Sequence, residues 1–409
     1  MIWRMRSRRE NRKMINDKKI PEIRFSGFTD AWEQRRLEKY FDERSERSSE
    51  GELISVTINS GVVKAIDLDR RDSSSEDKSN YKRVEKGDIA YNSMRMWQGA
   101  SGYSAYSGIL SPAYTVITPK EDVHSDFFAY MFKKHELIQT FQKNSQGLTS
   151  DTWNLKFPTL KRIKVYAPSY AEQVKIADVL NQLSHLITLH QRECDLLLKT
   201  KKSYLQKMFP KNGEDKPEIR FVGFNDAWEQ RRLGDLLKVS KERNNKNEYT
   251  KEQVLSVSRE VGTVNQIEYQ GRSFAGADIS GYKVVHLGQM IYTKSPLKDA
   301  PYGIFQNVTV EGIVSPLYAV YNSTDKALAS FIGLQLKDDN LATHYLSPLV
   351  SKGAKNTINV TDEGALGGIV FHPSIAEQQE IIDFFTALDH LITLHQRECD
   401  LLLKTKKSY

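Results

Sequence analysis

Two cysteines in 409 residues, Cys194 and Cys399, are too few for a disulfide framework and suit a reducing cytoplasm. No apolar run approaches the ~18 residues that a bilayer span requires, so no membrane association is expected. The basic opening MIWRMRSRRENRK has no apolar core or small-residue cleavage site after it, which excludes a secretory signal. Enzymatic signatures are missing as well. There is no G-x-x-x-x-G-K-[ST] phosphate loop, no His-Glu-x-x-His site and no glycine-rich cofactor turn. An Asn-Pro-Pro-aromatic motif of the adenine-methyltransferase kind is also lacking, and Asp/Glu are scattered rather than clustered for metal. No catalytic residue and no cofactor are expected.

What remains is a globular composition, 39% hydrophobic and 27% charged, on a chain long enough for two cores. The net charge of +7 is concentrated in a leader, residues 1–20, expected to be disordered. Arg4, Arg6, Arg8, Arg9, Arg12, Lys13, Lys18 and Lys19 stand there against only Glu10 and Asp17. Bulk charge therefore says little about partners.

The chain is written twice. PEIRFSGFTDAWEQRRL at 21–37 returns as PEIRFVGFNDAWEQRRL at 217–233, and HLITLHQRECDLLLKTKKSY at 185–204 returns unchanged at 390–409. The cores between have diverged, leaving echoes. Tyr81–Gly87 aligns with Tyr282–Gly288, Gly108-Ile-Leu-Ser-Pro-Ala-Tyr114 with Gly312-Ile-Val-Ser-Pro-Leu-Tyr318, and Pro168–Gln173 with Pro373–Gln378. One fold used twice, presenting two different surfaces, is the plain reading.

Short β-rich runs bounded by Gly, Ser and Pro predict strands at Leu53–Ile58, Ile89–Ser93, Tyr114–Ile117 and Ile163–Ala167. The second half repeats them at Val254–Ser258, Met290–Thr293, Tyr318–Tyr321 and Gly368–Phe371. Helical spacing predicts one helix over Asp126–Thr140 and another near Ala327–Leu336. Ser169 and Ser374, each followed three residues later by Glu172 and Glu377, have capping-box spacing. Beyond them runs a pattern free of Pro and Gly, long enough for a helix of ~55 Å. Its seam passes through Leu183, Ile187, His190, Cys194 and Leu197, and in the second copy through Leu388, Ile392, His395, Cys399 and Leu402. One amphipathic helix cannot bury its stripe alone, but two copies can bury each other. The predicted fold is α+β: two similar globular domains separated by two long antiparallel coiled-coil helices, with an internal pseudo-twofold repeat. Its segments are a first domain at 21–168, a central spacer helix at 169–210, a linker at 211–216, a second domain at 217–373 and a C-terminal spacer helix at 374–409.

In these motifs the chain resembles the specificity subunits of type I restriction–modification enzymes. The paired Ile-Arg-Phe-x-Gly-Phe openings at 23–28 and 219–224, the following Trp32 and Trp228, the two Gly-Ile-x-Ser-Pro-x-Tyr strands and the Ala-Glu-Gln helix starts carry the likeness. No one of them is specific; their order, duplicated around diverged cores, is. The resemblance implies two target-recognition domains, each reading half of a split, asymmetric site in double-stranded DNA. It implies a non-catalytic, cytoplasmic scaffold for two modification (methyltransferase) and two restriction (translocase/endonuclease) subunits. The readings kept beside it are a coiled-coil adaptor and an inactive duplicate of such a subunit.

Base reading needs polar side chains in loops where the two cores differ. In the first half these are Thr57, Asn59, Asn92, Arg95, Trp97, Gln98, Asn144, Gln146, Thr149 and Thr152. In the second they are Ser258, Arg259, Lys294, Lys298, Lys352, Lys355, Asn356 and Thr357. Arg95 and Arg259 suit guanine; Asn92, Gln98 and Asn356 suit adenine. Trp32 and Trp228, in the near-identical openings, read as packing anchors. The His-x-x-x-Cys pairs offer zinc two His and two Cys in principle, but they lie on the seam, where small apolar residues belong, and no metal is expected.

Overall fold

The structure is a computed structural model, and it describes residues 21, 23–69, 74–211, 214–259, 261–297, 300–353 and 358–408. The leader, Lys298, Lys355, Asn356 and Thr357 lie outside the described residues. The described residues form two compact units, one within Met1–Thr188 and Leu401–Tyr409, the other within Leu189–Asp400. Both unit boundaries cut through the long helices. No helix among the described residues is long and apolar enough to cross a membrane.

The first unit contains strands β1 (Glu33–Arg36), β2 (Phe41–Glu43), β3 (Leu53–Thr57), β4 (Gly61–Lys64), β5 (Lys82–Val84), β6 (Ile89–Asn92), β7 (Ser101–Tyr103), β8 (Gly108–Leu110), β9 (Tyr114–Pro119) and β10 (Lys164–Ala167). They make a four-stranded sheet in the order β2-β9-β6-β7, a second in the order β4-β3-β8-β5, and the pair β1-β10. Helices α1 (Ser125–Met131), α2 (His135–Asn144) and α3 (Phe157–Leu160) precede β10, and α4 (Tyr170–Lys207) follows it.

The second unit repeats the plan with β11 (Glu229–Arg232), β12 (Lys238–Val239), β13 (Leu255–Ser258), β14 (Gly262–Asn265), β15 (Lys283–Val285), β16 (Met290–Thr293), β17 (Ile304–Asn307), β18 (Gly312–Val314), β19 (Ala319–Asn322), β20 (Ser351–Lys352), β21 (Ile358–Asn359) and β22 (Ile369–His372). Its helices are α5 (Gln266–Gln270), α6 (Ala329–Gln335), α7 (Asp339–Leu346) and α8 (Ile375–Ser408). The main sheet, β12-β19-β16-β17, copies that of the first unit. Strands β13-β14 and β15-β18 form separate pairs, tied by a parallel bridge from Val254 to Ile313 where the first unit pairs β3 with β8. The glycine shared by the two Gly-Ile-x-Ser-Pro-x-Tyr strands has a steric cause there: a β-carbon on Gly108 or Gly312 would strike the carbonyl of Glu52 or Gln253.

Each unit is closed by its own ends. Strand β1 pairs antiparallel with β10, Glu33 opposite Ala167, and β11 pairs with β22, Glu229 opposite His372. The Ala-Glu-Gln helix starts complete the closure. Buried Gln173 donates from Nε2 to the Pro168 carbonyl at 3.0 Å and accepts at 3.0 Å from the backbone N–H of His124, which caps α1. Gln378 does the same with Pro373 and with Leu328, the cap of α6, both at 2.8 Å.

Aromatic packing fills both cores. Phe128 meets Phe41 edge-on at 5.0 Å, and Phe132 meets Phe141 at 5.5 Å. In the second unit Phe209, just beyond α4, is buried beside Trp228, Phe331 and Phe385 at 6.2, 5.6 and 6.4 Å. Trp228 is thus a packing anchor, and Trp32 meets Phe127 at 5.8 Å in the equivalent position.

Within the second unit the end of α4 and most of α8 run antiparallel: His190 meets His395, Lys201 meets Asp389 and Tyr204 meets Phe384. Leu388, Ile392 and Cys399 are buried along this contact; His190, Cys194, Leu197 and His395 are half-buried. In the first unit Ile187 is buried, Leu183 and Leu402 are half-buried, and the Lys406 ammonium reaches the Ser184 hydroxyl at 2.8 Å.

Two expectations need correction. The single helix over Asp126–Thr140 is two, α1 and α2, because the chain tightens at Phe132–Lys134 through i,i+3 bonds from Lys133 to Tyr130 and Lys134 to Met131, both 3.0 Å. That bend buries the Phe132 ring completely. The capping boxes are also incomplete. Glu377 N–H does meet the Ser374 hydroxyl at 3.4 Å, but the carboxylates of Glu172 and Glu377 turn away to arginines. A two-armed guanidinium satisfies a buried carboxylate better than one backbone N–H.

Candidate nucleic-acid interface

In the first unit a cleft of about 1030 Å³ opens over β3, the end of β6 and the start of β9. Asn92, Arg95, Trp97 and Gln98 line it from the turn after β6, with Ser150 and Asp151 from the loop after α2 and Tyr114 at the head of β9. The turn is internally braced. Asn92 Oδ1 accepts from Met94 N–H at 3.0 Å, the Trp97 indole donates to the Met94 carbonyl at 3.0 Å, and Gly99, at φ +83°, ends it. Arg95 projects from this frame exposed. Trp97 and Trp153 meet edge-on at 5.3 Å, joining the turn to the 145–154 loop.

The other expected residues shape these loops. Thr57 closes the β3–β4 turn, its hydroxyl accepting from Ser60 N–H at 2.9 Å, and Asn59 is exposed on that turn. Thr149 and Thr152 bond each other's backbone, with Thr152 Oγ1 donating to the Thr149 carbonyl at 2.9 Å. Gln146 bridges Asn154 through the main chain, and the exposed Asn144 caps back to Thr140 at 2.8 Å. Sequence reasoning missed Lys133. Its ammonium donates to the Ile58 carbonyl at 3.0 Å and to the Gly99 carbonyl, tying the β3–β4 turn to the Trp97 turn. Burial pushes this lysine down to about 8. The only signal was a cation next to the buried Phe132.

The second unit has a cleft of about 410 Å³ on the equivalent elements: Ser256–Ser258 from β13 with Arg259 just after it, Thr293 at the end of β16 with Ser295 beyond it, and Tyr318 before β19. Thr293 stands where Asn92 does, and Tyr318 where Tyr114 does. Two expected cations are committed elsewhere in the fold. Arg259, beside Ser258, pairs with Asp339, and Lys294 lies 2.8 Å from Asp362 Oδ1. Asp362 is shared with the buried Lys283 at 2.5 Å. Burial raises the Asp362 carboxyl, but the two ammoniums outweigh it and hold the group below its ordinary value. Lys352 is exposed, with its ammonium 4.9 Å over the Tyr302 ring.

The same elements thus build a cleft in each unit, and its lining differs. Residues 30–199 match the family model described as "Type I restriction modification DNA specificity domain". A curated relative, the type I restriction enzyme MjaIX specificity subunit of Methanocaldococcus jannaschii, is 34% identical over 131 residues. That alignment covers 30% of this chain and spans only 29% of the relative's length. The crystal structure of a type I restriction–modification system S subunit from M. genitalium superposes with a TM-score of 0.57 at 11% identity, over 95% of this chain and 97% of the other; it speaks for the fold. The matched segment is similar to the type I restriction–modification DNA specificity domain, and its opening motif, its helix sequence and the order of its main sheet return in the second unit.

Proposed function

We propose that the chain reads a split, asymmetric site in double-stranded DNA, one half-site per unit, through the two clefts. The observation carrying this is their equivalence: Asn92 with Arg95 and Trp97 on one side, Thr293 with Ser295 on the other, at the ends of corresponding strands. Different groups at equivalent places read different bases, whereas the shared frame keeps the docking geometry. The subunit itself performs no chemistry. It delivers an adenine in each half-site to two modification subunits, which extrude the base to reach it, and it scaffolds two restriction subunits in the cytoplasm.

The test is co-expression with a cognate modification subunit, followed by mapping of methylated adenines across the host DNA. Methylation confined to one two-part sequence with a fixed unread spacer is expected. A verified stable complex that marks no site would return the chain to the role of adaptor or inactive duplicate.

A further inference from the structure

Three potential metal ligands converge between α4 and α8, all inside the second unit. His190 Nδ1 lies 3.0 Å from His395 Nδ1 and 3.1 Å from Glu398 Oε2, and the ligand atoms of the three side chains all fall within 4.8 Å of one another. The histidines occupy the same position of the two identical His-Gln-Arg-Glu-Cys segments. Antiparallel pairing brings these copies face to face, and Glu398, three residues after His395, shares its helix face.

At 3.0 Å the two Nδ1 atoms satisfy each other only if one ring donates and the other accepts, which leaves a lone pair directed at its neighbour's proton. A carboxylate oxygen adds a further acceptor at the same point. Two imidazoles and a carboxylate form a donor set of borderline softness, suited to Zn²⁺, Co²⁺ or Ni²⁺ rather than to Ca²⁺ or Mg²⁺. The spacing agrees. Zinc–nitrogen bonds of ~2.0–2.1 Å set tetrahedral ligand edges of roughly 3.3 Å, a few tenths from the two short separations here. His190 is half-buried and Glu398 is 57% exposed, so the ion has a route in and a water can complete its shell. Cys194 and Cys399 are not among the converging groups.

We infer that His190, His395 and Glu398 form a site for one divalent transition-metal ion, which clamps α4 to α8 across the seam of the second unit. No reaction is assigned to it; the ion is a structural staple between two helices.

The experiment uses the full chain, untagged, stripped with a chelator and titrated with Co²⁺ and then Zn²⁺. One ion per chain is expected, with a visible Co²⁺ absorption spectrum and an upward shift in Tm on loading. His190→Gln and His395→Gln should each abolish both signals, Glu398→Gln should weaken binding at least tenfold, and Glu193→Gln should leave it intact. X-ray absorption of the loaded wild-type protein gives a readout independent of the variants: two imidazoles and no sulfur in the first shell. Sulfur in that shell, binding retained by the histidine variants, or no stoichiometric binding by the wild type overturns the site.

Discussion

Arg24 holds Glu172 with both arms of its guanidinium: Nε donates to Oε1 and Nη2 to Oε2, each at 2.7 Å. The carboxylate is 1% exposed. Arg220 repeats the grip on Glu377 in the second unit at 2.6 and 2.7 Å. The arginine of each opening motif therefore exists to meet the glutamate of each helix start, and the pair locks the first turn of each long helix to its own unit.

Because a buried carboxylate stripped of its partner keeps its desolvation cost, Arg24→Met should destabilise the first unit by about 3 kcal/mol. Arg220→Met should do the same to the second. Chemical denaturation reads the loss directly. The double variant Arg24→Met/Glu172→Met should recover much of it, and a double variant no better than the single would show that the pair is not coupled.

Lys133 gives a prediction in pH. Burial holds its folded value at about 8 against 10.5 when exposed. Between those two values the unfolded chain binds the proton that the folded chain has shed, so Lys133 makes stability rise with pH across that window. Lys133→Met should flatten this rise relative to wild type in denaturation curves taken from pH 7.5 to 10.5. It should also loosen the Trp97 turn, since two carbonyls lose their donor, at about 1–3 kcal/mol.

The Arg95 side chain tests the first cleft. Arg95→Ala should weaken binding of the assembled complex to its target by about 10- to 100-fold, the worth of one good base contact. Discrimination at a single base position should relax while the other half-site is read as before. A uniform loss across all sequences, with a shallower salt dependence, would instead assign Arg95 to a phosphate.

Asp362 anchors the second cleft through Lys283 and Lys294. Asp362→Ala should cost about 3 kcal/mol, because Lys283 is 5% exposed and its ammonium would be left with only the Tyr318 carbonyl at 2.6 Å. With its folded value depressed, the carboxyl contributes stability that is full above its unfolded value and is lost as pH falls through the folded one. Acid titration of unfolding should show this step in wild type and not in Asp362→Asn.

Much of the fold was legible because the chain carries its own comparison. Strands such as Met290–Thr293 and the long helices stood out as short apolar runs and uninterrupted seams, and the second copy repeated each signal. The break between α1 and α2 was not legible, since the stripe of Phe127, Met131 and Leu137 continues across it; only burial of Phe132 reveals the bend. The turn around Trp97 announced itself by its density of polar and aromatic residues. Lys133 and the commitment of Lys294 and Arg259 to carboxylates did not, because those partnerships join residues far apart in sequence. The Arg24–Glu172 grip was hidden for the same reason, although both residues sat in motifs already marked as repeated.

That grip also sets a timetable. Its residues are 148 apart along the chain, and those of the Arg220–Glu377 pair are 157 apart. On a ribosome, the opening strand of each unit must therefore wait for almost the whole unit to be synthesised before it gains either its strand partner or its charge partner. A nascent first unit that has just emerged through β9 still has an unpaired β1 edge and an unanswered Arg24, and only translation of the start of α4 ends that exposure.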